Sequence, residues 1–247
     1  MNLETDLGVQ SYCFRHFKDN AHVAHLVREC GLDKIELCAV HVDFGDESTF
    51  DGVIDTYRQA GVQIVSIGVQ GANGEEEKER KYFEFAKRAG ARHMSVHFGA
   101  QTFPECYRVS EKLSQEFDIY VGVHNHGGYH WLGNSEMLSR VFRDTNERIG
   151  LCLDTAWALD AKQNPIQMAE KFADRLYGAH IKDFIFDRAR KPEDVVVGTG
   201  NLDLPAFVKL ANASPTMKFC VLEYEGDVEN PVPALKECVE AVRGATQ

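Results

Sequence analysis

Along the whole chain, short apolar or β-branched runs alternate with longer segments whose apolar positions recur at the helical spacing. The strand-like runs are DLGVQSY (6–12), KIELCAV (34–40), QIVSIGVQ (63–70), HMSVHFG (93–99), IYVGVHN (119–125), IGLCLDT (149–155), LYGAHIKD (176–183) and FCVLEY (219–224). Between and after them lie amphipathic segments such as NAHVAHLVREC, STFDGVIDTYRQA, GEEEKERKYFEFAKRA, NSEMLSRVFRDTN and ENPVPALKECVEAVR. Several begin at Ser, Thr or Asn, whose side chains satisfy free N–H groups, and three run into Gly31, Gly61 or Gly90, a residue that closes a helix without strain.

Strict strand-helix alternation predicts a parallel sheet with crossover helices, and eight such units close a (β/α)8 TIM barrel. An open doubly wound sheet is the alternative; the first strand lacks the G-x-G-x-x-G turn of a dinucleotide site. With no low-complexity stretch or linker, residues 1–247 are expected to form a single α/β domain. The one long connection, FIFDRARKPEDVVVGTGN (184–201), falls on the face where barrel enzymes place their loops, making it a candidate lid or substrate loop.

Composition narrows the function classes. A formal charge of −11 disfavours nucleic acid as a partner, since phosphate backbones require a basic footprint. Seven cysteines without a C-x-x-C pair argue against both a disulfide framework and a zinc knuckle. Neither a signal peptide nor a membrane-length apolar run is visible, so a cytoplasmic enzyme with no membrane partner is expected. A homo-oligomer is compatible with the sequence, which does not specify the state.

The chemistry lies at the strand ends. Side-chain alternation puts His124 and His126 on one face, Cys152 with Asp154, Gly178 with His180 and Lys182, and Val221 with Glu223 and Glu225. Four successive strands therefore finish with His124, Asp154, His180 and Glu223, two imidazoles and two carboxylates that could form a nitrogen-oxygen cage for a divalent cation. Any one of these residues alone is more often hydrogen-bonded structure than ligand; their common level in four consecutive units favours the cage.

VHNHGG, LCLDTAW, GAHIKD, VGTGNLDLPAF and VLEYEGD, in this order and spacing, resemble the xylose isomerase-like superfamily of sugar and sugar-phosphate isomerases and epimerases, which also contains endonuclease IV. The resemblance implies a metal held by His124, Asp154, His180 and Glu223. Four positions depart from the family pattern. His124 stands where ketose epimerases have a glutamate, leaving Glu223 as the only member of their proton-moving carboxylate pair. Trp157 replaces a histidine of the DT-x-H motif and could stack on a sugar ring. Ala189 and Thr199 replace metal-binding residues of the endonuclease, so a trinuclear zinc centre lacks parts and DNA repair is disfavoured.

The resulting expectation is a metal-dependent isomerase or epimerase acting through an enediolate on a small sugar, sugar phosphate or keto-polyol. One divalent ion is expected, Mn²⁺ first, with Co²⁺, Fe²⁺, Zn²⁺ or Mg²⁺ as alternatives. Glu223 is the expected base, with His124, His126 or Lys182 handling the returning proton. His97, Trp157, Arg188 and Glu36 are candidate substrate contacts, although support of the barrel interior suits Glu36 better, and His130 and Arg188 are loop residues for which solvation suffices. A lyase or dehydratase acting on a keto-sugar or keto-inositol, and a barrel that binds sugar without converting it, are the alternatives.

Overall fold

The computed structural model describes residues 1–246. Eight strands, β1 (Leu7–Gln10), β2 (Lys34–Leu37), β3 (Gln63–Ala72), β4 (His93–Phe98), β5 (Tyr120–His124), β6 (Ile149–Asp154), β7 (Leu176–Ile181) and β10 (Phe219–Leu222), close into a parallel barrel. Closure is made where Leu7, Gly8 and Val9 pair with Cys220, Val221 and Leu222. Every residue of β1, β5 after Tyr120, β6, β7 and β10 is buried. Helices cover the outer face and side chains fill the inner one, which is why these strands read as continuous apolar runs rather than alternating ones.

The helices form where the sequence periodicity places them, at Asn20–Glu29, Phe50–Gln59, Glu76–Ala89, Glu105–Phe117, Ser135–Asp144, Pro165–Lys171, Leu204–Ala213 and Val232–Gly244. In Ser135–Asp144 the spacing of Leu138, Val141 and Phe142 gives one buried stripe, and the Asn134 side chain accepts hydrogen bonds from the Glu136 and Met137 amides. The helix ending at Ala89 is closed by Gly90 at φ 79°, in the left-handed region that glycine enters at little cost.

Segment 184–201 differs from the irregular loop expected. It contributes to an antiparallel hairpin, β8 (Asp183–Phe186) with β9 (Pro192–Val195), in which Asp183 pairs with Val195 and Phe186 with Pro192. The buried Asp183 carboxylate orders the chain beyond the hairpin by accepting hydrogen bonds from the amides of Gly198, Gly200, Asn201 and Leu202 at 2.8–3.0 Å. The VGTGN segment is thus wound around one carboxylate.

Inside the barrel, Cys152, Phe219 and Val221 form a small apolar cluster separate from the main core between strands and helices. Phe219 fits because Gly178 faces it on the next strand; a Cβ there would stand 2.2 Å from the ring. Gly178→Ala is therefore expected to destabilise the protein by about 1–3 kcal/mol through overpacking, read as a lower thermal midpoint, and Phe219→Leu added to it should recover part of the loss. An unchanged midpoint in the single variant would show that this interior layer is loosely filled.

Candidate metal centre

At the C-terminal rim of the barrel, His124, Asp154, His180 and Glu223 converge. One ligand atom from each lies within 4.8 Å of the others, and all four residues are buried. His124 Nε2 is 3.2 Å from His180 Nδ1 and 3.5 Å from an Asp154 carboxylate oxygen, while His180 Nδ1 is 3.2 Å from Glu223 Oε2. These separations suit ligands that share an ion at ~2 Å each. His124 Nδ1 and Asp154 Oδ2 are buried without any hydrogen-bond partner. Orphaned buried polar atoms are costly, and for Asp154 Oδ2 a cation in the cage removes that cost. The donor set therefore fits a divalent ion.

Each ligand has its own support. Asp154 Oδ1 accepts from the Trp157 amide at 2.7 Å, so this ligand also caps the helix Thr155–Asp160. Asn125, on the opposite side of the strand from His124, bridges to the Asp154 backbone, accepting from its N–H and donating to its C=O, both at 2.9 Å. His180 Nε2 lies 2.6 Å from Glu36 Oε2. Because that contact is poorly aligned for a directed hydrogen bond, charge attraction dominates it. Glu36 accepts in turn from Ser66 (2.8 Å), Ser95 (2.7 Å) and Gln10 (2.8 Å). With His180 Nδ1 given to an ion, its Nε2 proton faces this carboxylate, an arrangement that fixes ring orientation and raises ligand basicity.

The electrostatics suit cation capture. Burial, reinforced by His180, pushes the His124 imidazole down to about 3, which keeps it neutral and able to ligate. Burial pushes the Asp154 carboxyl up to about 7 against the pull of Lys182, the strain expected of a carboxylate held among other acids. Burial alone would also raise Glu223, but His180 and Lys182 outweigh it and hold the carboxyl below the usual range. Glu36 behaves likewise, with His180, Ser95 and Ser66 overcoming desolvation. For His180, desolvation is outweighed by Cys152, Glu36 and Glu223, and the imidazole is raised well above its ordinary value.

Above the cage opens a cavity of about 490 Å³. His124, His126, Glu223 and Glu225 line its polar side, and Cys38, Ala39, Val40 and Val69 an apolar wall, with Tyr12 and the half-buried Trp157 as aromatic surfaces. A larger hollow of about 670 Å³ near Phe44 and Tyr82 is edged by Glu75, Glu76, Glu77, Lys78 and Lys81, with none of the metal cluster nearby. The smaller cavity is the one with converging chemistry.

The remaining candidates fall into three places. His126 lines the cavity but lies outside the cage, its ring centroid 4.7 Å from that of His124. His97 and His130 sit beyond it, 5.9 and 4.8 Å from the His126 centroid, and neither forms a cavity wall. Glu36 is fully buried behind His180 and meets no substrate space. Arg188 is exposed near the turn of the β8–β9 hairpin, away from the walls. Lys182, only 1% exposed, is not a wall residue. Its ammonium pairs with Glu225 and lies 3.8 Å from Asp194, over the rings of Trp157 and Phe184. Glu225, Gln10 and Asn125 are contributors that the sequence pattern alone does not assign; Glu225 shares a face with Glu223 and is legible, whereas the bridging of Asn125 depends on the β5–β6 register.

The family model of the xylose isomerase-like TIM barrel matches residues 24–244. No curated protein sequence matches the chain. Among solved structures, 3-keto-D-glucoside 4-epimerase from E. coli is similar with TM-score 0.74 at 17% identity, covering 97% of this chain and 99% of that one. A xylose isomerase-like TIM barrel protein from Mycobacterium smegmatis in complex with magnesium gives 0.77 at 14%, covering 100% and 98%. A "probable 3-DHS dehydratase" from Bacillus anthracis gives 0.73 at 14%, covering 96% and 98%. At these identities the structural likeness establishes the fold alone. With the family model spanning nearly the whole barrel, this chain belongs to the xylose isomerase-like TIM-barrel family.

Proposed function

We propose that the protein is a divalent-metal-dependent isomerase or epimerase acting through an enediolate on a small sugar, sugar phosphate or keto-polyol. The observation that carries this reading is the double position of Glu223, which belongs to the four-residue cage and also forms a wall of the cavity above it. A carboxylate so placed can reach a substrate C–H beside a carbonyl held over the cage.

His124, Asp154, His180 and Glu223 would hold the ion, with Mn²⁺ the first choice for a mixed imidazole and carboxylate set and Co²⁺, Fe²⁺, Zn²⁺ or Mg²⁺ as alternatives. When bound, the ion supplies Lewis-acid stabilisation of the negative charge that develops on the substrate oxygens. Glu223 removes the proton. Its ion-pair network with His180 keeps it ionised, the form in which a carboxylate can accept a proton. Of the groups considered for proton return, Lys182 is behind the wall, whereas His124 and His126 both line the cavity; His126 is the one outside the cage and so keeps its nitrogens clear of the ion. Burial and the neighbouring His124 hold that imidazole at about 3, so it is neutral at rest and would return a proton only by relaying one from solvent.

Loss of the second glutamate at position 124 supports one rival. An enolate formed by Glu223 but not reprotonated on the opposite face can expel a β-substituent, making the enzyme a lyase or dehydratase; the similar Bacillus anthracis protein carries a dehydratase name. The experiment is proton NMR in D2O of Mn²⁺-loaded protein with ketoses, keto-inositols and 3-keto-sugars. Solvent deuterium entering the α-carbon without elimination is the expected outcome; an unsaturated product favours the lyase, and neither change favours a non-catalytic sugar-binding barrel.

Two further outcomes are expected. Glu223→Gln should lower kcat by about 10²–10⁴, the usual weight of a general base, with exchange lost in parallel. Glu36→Gln, which touches neither cavity nor ion, should weaken Mn²⁺ affinity by about 10–100-fold through His180, measured by titration calorimetry. Full metal affinity in that variant would contradict the support role.

A further inference from the structure

The fate of each positive charge and each amide cluster near the rim says what the cavity can receive. No lysine or arginine is among the residues that line it. Three cations on adjoining elements are engaged by the protein itself, and Arg188 is exposed near the hairpin turn, away from the walls. Lys182 is paired with Glu225 and Asp194. Arg15 donates to the carbonyls of Tyr12 (3.1 Å) and Glu225 (2.7 Å) and lies over the Tyr12 ring. Arg190 donates to the Leu159 carbonyl and covers Phe186.

Backbone amides are the other means by which barrels hold anions. At this rim they are filled by the chain itself. Asp183 takes the four amides of the 198–202 segment, and Glu79 takes those of Asn73, Gly74 and Glu75 at 2.7–2.9 Å. Asp203 caps Leu204–Ala213, the helix after the hairpin, through the Ala206 amide. Asp154 does the same for the helix after β6. A divalent ion in the cage would have its charge cancelled by Asp154 and Glu223, and Glu225 adds another carboxylate to the wall. A phosphate dianion entering this space would meet Glu223 and Glu225 with no cationic side chain on the walls to pair with it, and like-charge juxtaposition is strongly unfavourable.

We infer that the substrate is an uncharged polyhydroxylated ketone, a free keto-sugar or keto-cyclitol rather than a phosphate ester or sugar acid, and that Glu225 accepts hydrogen bonds from its hydroxyls. This inference rests on the isomerase reading above for the location of the site. Glu225 suits the task because Lys182 holds its Oε1 from behind while the residue borders the cavity beside Trp157, whose indole offers a stacking surface to the C–H face of a ring. Carboxylate and indole together read hydroxyls and ring carbons, and neither favours a phosphate.

The test uses Mn²⁺-loaded protein and matched pairs, D-fructose with D-fructose 6-phosphate and D-tagatose with D-tagatose 6-phosphate, together with free keto-inositols and 3-keto-glucosides. Binding is followed by saturation-transfer NMR and calorimetry, and deuterium exchange is recorded on the same samples. Expected is binding of a neutral member at least about tenfold tighter than its phosphate ester. In Glu225→Gln, neutral-sugar affinity should fall about tenfold, with a rise in KM larger than any fall in kcat and the discrimination against phosphate narrowed; because buried Lys182 loses a countercharge, the thermal midpoint should fall as well, and binding is compared well below it. Preference for the phosphate ester overturns the inference, and deuterium exchange on that ester would leave the isomerase reading standing. Binding of a neutral sugar without exchange does the reverse. No binding by any member overturns both.

Discussion

A positively polarised imidazole buried between two carboxylates organises the interior of this barrel. His180 lies 2.6 Å from Glu36 on one side and 3.2 Å from Glu223 on the other, with His180 and Glu36 fully buried and Glu223 at the cavity wall. None of these groups is stable there alone, because an isolated buried charge carries a desolvation cost of several kcal/mol. Ser66, Ser95 and Gln10 complete the solvation of Glu36, and Gly68 leaves room for it: a Cβ there would meet Ser95 Oγ at 1.7 Å and Glu36 Oε1 at 2.8 Å. The polar column thus dictates small side chains on the neighbouring inner face. The cage above it, with an orphaned carboxylate oxygen on Asp154, is the part of the column that protein groups leave incomplete.

Much of the fold can be read from the chain because its signals are local. Each strand is a short apolar run, and each long helix carries its own stripe, cap and stop, so element type needs no knowledge of the partner. The grouping of His124, Asp154, His180 and Glu223 follows from side-chain alternation plus the closure of eight units, and the four are indeed neighbours. What alternation cannot supply is depth. Glu36 and Lys182 have the right parity, yet Glu36 lies behind His180 and Lys182 is turned toward Glu225, because buried charges are drawn to the nearest countercharge. The hairpin of 183–186 with 192–195 and the turn that Asp183 winds beyond it are hidden from the sequence for a related reason: both rest on contacts between residues up to 19 positions apart, which a window of local propensity does not weigh. Arg188, plausible as a loop cation, is carried outward near the tip of that hairpin.

The acidic character of the chain acquires a structural meaning at the rim. Carboxylates are spent on filling amide clusters, pairing with Lys182 and completing the cage, so the excess negative charge is partly an internal device for ordering loops. No helix among the described residues is long and apolar enough to cross a membrane. Family membership points to small carbohydrates as substrates. On the proposed reading, the choice between isomerisation and elimination turns on proton return, since His124 stands where a second carboxylate would give two-faced chemistry.

The central claim is that the four strand-end residues share one cation. The most direct measurement is a crystal structure of Mn²⁺-soaked protein with anomalous data collected at the manganese edge. The account requires a single strong peak about 2.0–2.3 Å from His124 Nε2, His180 Nδ1 and a carboxylate oxygen of both Asp154 and Glu223. A peak seated instead among His97, His126 and His130, or no peak in the barrel at all, would contradict it.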